Sequence, residues 1–233
     1  MSYKMGCLIC GFELACLPAE EILLCEYCRK PFTADVCCVN RHYVCDRCHA
    51  LSANDLIEQY CRTTLLTDPY RITATLMKNP QIKMHGPEHH FLVPAALLAA
   101  WYNRHKNTLL KDAAIIKARR RAEDVKGGFC ASHGACGAAI GTGIFISLIT
   151  GATSLAKEEW RLANLMSAES LKVIAENGGP RCCKRDSFLA ISAAVTFLKA
   201  HFGTDIPIEE RIICEFAILN RECLGDECSF YVS

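Results

Sequence analysis

The chain is short of charge of either sign and of aromatic residues. Charged side chains make up 22% and nearly cancel to a net +1, and aromatics are 8%. A near-neutral chain has no bulk attraction for a polyanion, so nucleic acid is not an expected partner; only a local patch such as Lys117-Ala118-Arg119-Arg120-Arg121 would change that, and Glu123-Asp124 follow it closely. There is no P-loop, no glycine loop after a strand of the kind that cradles a nucleotide or S-adenosylmethionine, and no Ser/His/Asp set. Nucleotide-dependent chemistry, methyl transfer by this chain alone and acyl transfer are therefore not expected. Repeats and low-complexity tracts are also missing, and no strand pattern follows residue 50. The start MSYKMGCLIC has no apolar signal core, which predicts a cytoplasmic protein with reduced cysteines. Residues 134–156 carry no charge and reach the length of a membrane span, with small residues at Gly137, Gly141 and Gly143. Their Gly, Thr, Ser and Ala content keeps the hydropathy borderline, and the expectation is a buried helix and no membrane.

What the chain has in excess is cysteine, 17 in 233 residues, nine of them in the first fifty. So many free thiols also point to an anaerobic host. Cys7-x2-Cys10, Cys25-x2-Cys28 and Cys45-x2-Cys48 are three knuckles, with Cys38-x3-His42 between the last two. Each knuckle places two thiolates on one turn with the bite that tetrahedral zinc requires, and two knuckles make one site. The metal candidates are thus Cys7, Cys10, Cys25, Cys28, Cys38, His42, Cys45 and Cys48, with zinc as the metal and an iron–sulfur cluster as the competing assignment. A ribbon of Cys7, Cys10, Cys25 and Cys28 is one way to pair them. Little apolar periodicity is visible in residues 1–50, so metal must supply the stability that a core cannot.

From residue 25 the spacing C-x2-C-x9-C-x3-H-x2-C-x2-C resembles the first six ligands of a RING-type cross-brace, in which alternate pairs share a metal. The resemblance implies Cys25, Cys28, Cys45 and Cys48 around one zinc, and Cys38 with His42 at a second. The family's last pair is missing after Cys48, so no ubiquitin-ligase role is carried over, and Cys7 with Cys10 can complete the second site. A treble-clef arrangement is equally compatible.

The remainder reads as helical: Ser52 or Asn54 caps a helix to about residue 62, and Asp68-Pro69 opens one to about 78. Gly86-Pro87 opens another through FLVPAALLAAWY, where Pro94 is a candidate kink. Residues 106–124 follow, with Leu109, Leu110, Ala113, Ile115 and Ile116 spaced for burial. Then come the apolar segment after Cys136, a helix from Ser154 to Asn177, and helices over about 185–202 and 207–222. The expected fold is mainly α: a small zinc-binding module over residues 1–50 and an all-α domain over 51–233.

Three Cys/His clusters stand out in the helical part. His85, Glu88, His89 and His90 form a dense imidazole–carboxylate group suited to holding a metal or cofactor. Their H-x-x-E-H spelling is interrupted by Gly86-Pro87, so a protease site is not expected. Cys130, His133 and Cys136 have the three-residue spacing of one helical face, where a helix start would favour thiolate. Cys182 and Cys183 are vicinal beside Arg181, Lys184 and Arg185, an electropositive setting. Convergence of Cys130, His133, Cys136, Cys182 and Cys183 would make a catalytic redox-thiol centre, or a second metal or iron–sulfur site in the helical domain. Cys223 and Cys228 form a looser pair.

The runs GGFCASHGACGAAIGTGIFISLITGATSL, MHGPEHHFLVPAALL and GGPRCCKRDSFLA, with the amino-terminal knuckles, resemble an uncharacterised cysteine-rich family of archaea and anaerobic bacteria. Its members occur alone or fused to radical-SAM or methyltransferase domains, which implies a partner of that kind.

Overall fold

The computed structural model describes residues 7–208 and 211–232. A two-stranded antiparallel hairpin, β1 (Leu14–Leu24) and β2 (Pro31–Cys38), opens the chain, paired from Leu14↔Cys38 to Leu24↔Pro31 with a register shift between Cys16 and Glu21. A one-turn helix α1 (Asp46–His49) follows, then α2 (Ala53–Thr63), α3 (Pro69–Met77), α4 (Glu88–Arg104), α5 (Thr108–Glu123), the one-turn α6 (Phe129–Ser132), α7 (Gly137–Thr150), α8 (Glu158–Glu176) and α9 (Cys183–Phe202). The protein is mainly α, with a small cysteine-rich module in front, as the sequence predicts. No described helix is long and apolar enough to cross a membrane.

The caps are local chemistry. The Ser52 hydroxyl accepts from the Asp55 N–H to start α2, and the Asp68 carboxylate accepts from Tyr70 and Arg71 to start α3 ahead of Pro69. Such caps satisfy amides that a helix start leaves without partners. Gly151 and Gly203, with φ of 72° and 61°, end α7 and α9 in the left-handed conformation that glycine adopts without strain.

Helix α4 is the centre of the bundle, buried from Phe91 to Ala100 on every side, as an all-apolar helix must be. Pro94 does not break it. A proline here leaves the His90 carbonyl, four residues back, without its helical N–H. That carbonyl faces α7: a Cβ added at Gly141 would stand 3.1 Å from it and 2.7 Å from Pro94 Cδ. Two residues on, and about 200° round the helix, Gly143 does the same towards α8, where a Cβ would stand 3.0 Å from the Ala163 carbonyl and meet the Ser167 hydroxyl. The small residues of α7 are therefore a seam between α4 and α8.

Three expected features differ. The buried face of α5 is Lys111, Ala114, Ile115, Ala118 and Ala122, whereas Leu109 is 89% exposed. Lys111 is drawn in because its ammonium donates to the Thr64 carbonyl and Asn103 Oδ1, satisfying both the buried charge and the end of α2. Helix α8 starts at Glu158 and not at Ser154, because Thr153 closes a turn on the Ala156 N–H. The helix expected over 207–222 is not formed: its described residues hold one 3-10 turn, Ala217–Leu219, and the Cys214 N–H pairs instead with the Phe230 carbonyl.

Candidate metal centres

Two groups of four donors assemble in the amino-terminal module. Cys7, Cys10, Cys38 and His42 form one, and Cys25, Cys28, Cys45 and Cys48 the other; in each, the donor atoms lie within 4.8 Å of one another. Pairs alternate along the chain, so the cross-brace pairing holds and the ribbon of Cys7, Cys10, Cys25 and Cys28 does not. The hairpin is the reason: antiparallel pairing carries Cys38, at the end of β2, back beside Leu14 and the first knuckle, while Cys25 and Cys28 stay at the opposite end.

Local turns aim the sulfurs. The Gly11, Arg29 and Arg41 N–H groups donate to the Cys7, Cys25 and Cys38 carbonyls, and all three residues have positive φ. The Ile9, Asn40 and Cys45 amides point at the Cys7, Cys38 and Cys25 sulfurs at 3.3–3.4 Å. Amides so placed stabilise thiolate. Burial pushes the Cys10 thiol up, but hydrogen bonds from Phe12, Cys38 and Asn40, with His42 close by, outweigh it and bring it down to about 6. Burial likewise opposes ionisation of Cys25, and the Cys45, Cys28 and Tyr27 amides prevail and lower it. Each group therefore has one thiol lowered, Cys10 or Cys25, while burial raises Cys7 and Cys48. Sulfur separations are 3.4 Å for Cys10–Cys38 and 4.0 Å for Cys28–Cys45. A tetrahedron with bonds of about 2.3 Å spaces its sulfurs by about 3.8 Å. His42 Nδ1 is buried with no hydrogen-bond partner, an orphan that a metal would satisfy. The residues fit a metal ion at both places.

The second group is tied to the helices. Cys25, Cys45, Cys48 and Tyr27 belong to the same buried cluster as the helical core. Tyr27 meets Tyr60 edge-on at 5.7 Å, the Thr63 hydroxyl donates to the Tyr27 carbonyl, and Gln59 Nε2 lies 2.7 Å from Cys48 Sγ. Gln59 gave no sequence signal, because a glutamine on a helix is ordinarily a solvated one. Leu8 and Ile9, inside the first knuckle, also pack against the helical core, while the hairpin carries a separate small cluster, Leu23, Ala34 and Cys37.

The helical clusters form no metal-sized group among the described residues. Cys130, His133 and Cys136 do not share a helix: α6 stops at Ser132, Gly134 takes φ 62°, and Cys136 caps α7. His133 is exposed, stacked on Phe129 at 4.4 Å with Nδ1 2.7 Å from the Ser132 hydroxyl. Cys136 and Cys183 do come within electrostatic reach of each other and of Asp186, but burial raises both, Cys183 to about 11. Cys182 is raised by burial as well. A helix start was expected to favour thiolate at these positions; desolvation outweighs it.

The vicinal pair splits, with Cys182 capping the start of α9 beside the carboxyl-terminal segment and Cys183 turned to the Gly86 amide. His85 lies 3.4 Å from Glu222, Glu88 accepts from the Lys83 N–H, and His90 donates from Nδ1 to the Val125 carbonyl. No three of His85, Glu88, His89 and His90 form a metal-sized group among the described residues.

His89 is fully buried between the Lys83 carbonyl at Nε2 (3.0 Å) and the Ser187 hydroxyl at Nδ1 (3.1 Å). The carbonyl can only accept, so Nε2 carries a hydrogen, and burial disfavours the charged ring. Burial, ahead of the nearby Lys184 charge, holds its pKa down at about 3. A depressed folded value means the unfolded chain takes the proton first. This contribution is complete above 6.5 and is lost as pH falls towards 3, at about 1.4 kcal/mol per pH unit. Urea unfolding of wild type and His89→Gln at stepped pH is expected to give a steeper acid loss for wild type; parallel curves would refute it.

No curated protein and no solved structure matches the chain. The family match begins only after the two amino-terminal groups, at residue 57, and runs to 231, three quarters of the chain. On that match the protein belongs to the family of unknown function DUF5714.

Proposed function

We propose that the chain is a zinc protein in which two structural zinc ions, one held by Cys7, Cys10, Cys38 and His42 and the other by Cys25, Cys28, Cys45 and Cys48, build a module that serves the helical domain. The observation that carries this is the donor geometry: sulfurs 3.4 and 4.0 Å apart, with the buried His42 Nδ1 left without a partner. Four protein donors leave no coordination position for a substrate, so the ions act on structure. Metal analysis of protein purified without oxygen is expected to find about two zincs per chain. His42→Ala should lose one and Cys48→Ser the other. Retention of both in either variant would refute the assignment.

A second reading, a docking module for a partner protein, is favoured by the hairpin surface. Phe12, Leu14, Ile22, Leu24 and Val39 are all more than half exposed, Ile22 at 76%. Apolar side chains so concentrated on a small module suit a protein surface. The basic run of α5 is a weaker contender for nucleic acid, since Arg119 is engaged by Asp55, Glu58 and Glu123. Following the family resemblance, the proposed partner is an enzyme of radical-SAM or methyl-transfer chemistry from the same host. Ile22→Lys with Leu24→Lys should abolish its co-purification while zinc stays bound; unchanged co-purification would sink this reading.

A further inference from the structure

We infer that Cys182, Cys214, Cys223 and Cys228 form a third centre, built to hold a [4Fe–4S] cluster between the start of α9 and the carboxyl-terminal segment. All four line one cavity, part of it facing solvent. The site is independent of the two zinc groups and lies inside the family-matched region.

The first argument is local geometry. The Phe216 amide points at Cys214 Sγ and the Gly225 amide at Cys223 Sγ, both at 3.4 Å and both two residues downstream. This is the turn that Ile9 and Asn40 make on Cys7 and Cys38 in the amino-terminal group. Cys182 receives the Arg185 N–H at 3.5 Å and the Asn220 side-chain amide at 3.6 Å. N–H groups aimed at sulfur favour thiolate and tune a bound cluster.

The second is charge. Lys184 is 2% exposed, its ammonium donating to the Met77 and Ile82 carbonyls and lying 4.1 Å over the Phe216 ring. Arg185, on the cavity wall, donates to the Gly178 and Pro180 carbonyls and meets only Asp186 as an ion pair. Cations buried this deeply need counter-charge. Cys182 and Cys214 lie within electrostatic reach of Lys184, as Glu88 does, and a thiolate-ligated cluster is anionic.

The third is the chain itself. From residue 203 to 232 the described structure contains only two 3-10 turns, Ala217–Leu219 and Gly225–Glu227, folded against α9 through Phe188 and Phe230. A segment of this length without regular structure, yet packed, calls for something else to hold it. The four sulfurs do not close to the 4.8 Å spacing of the zinc groups. Four thiols around one cavity, spaced wider than one ion spans, match a polynuclear cluster.

The full chain, purified without oxygen and reconstituted with ferrous iron and sulfide, is the material for the test. Expected are about four irons and four sulfides per chain, a broad visible absorption that bleaches on reduction, and the zinc unchanged. Cys214→Ser and Cys228→Ser should each lower bound iron at least tenfold while keeping full zinc, which shows that they fold. Cys183→Ser, next to a proposed ligand but facing Gly86, should keep the iron. The inference is overturned if wild type takes up no iron, if the two variants hold as much as wild type, if Cys183→Ser loses as much as they do, or if a third zinc lost in the same variants occupies the site.

Discussion

Cys48→Ser is expected to lower the stability of the whole protein, not of the amino-terminal module alone. Cys48 is 1% exposed, and its group shares one buried cluster with α2 and α4. Losing one thiolate weakens the ion's hold and leaves Cys25, Cys28 and Cys45 crowded and unpaired beside Tyr27. Structural zinc is worth about 10–16 kcal/mol to a small module. A loss on the order of 5 kcal/mol in the intact chain is a fair expectation, or a melting temperature lower by on the order of 10–20 °C. Cys10→Ser makes the matched comparison. Cys38 of its group ends β2 and pairs with Leu14 of β1, so amide protection should vanish from β1 and β2 while the helices melt nearly as before. Calorimetry with hydrogen exchange reads both. Equal shifts in the two variants would show that the module is one cooperative unit and would overturn the distinction.

The second large effect is expected at the seam around α7. In an exposed helix Gly→Ala stabilises by up to about 1 kcal/mol. At Gly141 and Gly143 the sign should reverse, because the added methyl meets Pro94 and the His90 carbonyl at the first, and Ser167 and the Ala163 carbonyl at the second. Backbone atoms cannot swing aside as a flexible side chain does. Overpacking of this kind costs about 1–3 kcal/mol per site. The two positions face different helices and share no partner, so the double variant should lose about the sum. Gly127→Ala, exposed and with nothing within 4 Å of the new Cβ, is the control and should be neutral or mildly stabilising. A stabilised Gly141→Ala or Gly143→Ala, by urea denaturation, would mean the seam is looser than described.

Helix starts at Ser52 and Asp68 were legible because a cap is a contact between neighbours in the chain. The metal donors were legible for a related reason: knuckle spacing is set by the bite of one ion. The buried face of α5 was not, since burying Lys111 depends on carbonyls from α2 that periodicity cannot see. Cys214 gave no signal either. Standing alone in a stretch patterned like a helix, it becomes meaningful only when its amide pairs with Phe230 and its sulfur meets Cys182, 32 positions earlier in the chain, across a cavity.

The sequence by itself determined an amino-terminal module with metal-ligand spacing, an α-helical remainder and most helix boundaries, because each follows from spacing and from contacts a few residues long. Tertiary structure decided how the knuckles pair, because a hairpin brings its two ends together and leaves its turn at the far side. It also decided that the vicinal cysteines at the start of α9 have different neighbours, that His89 is a buried core residue, and that the carboxyl-terminal cysteines share a cavity. Those outcomes turn on burial and on contacts between distant segments, whose energies exceed any local preference encoded where the residues stand.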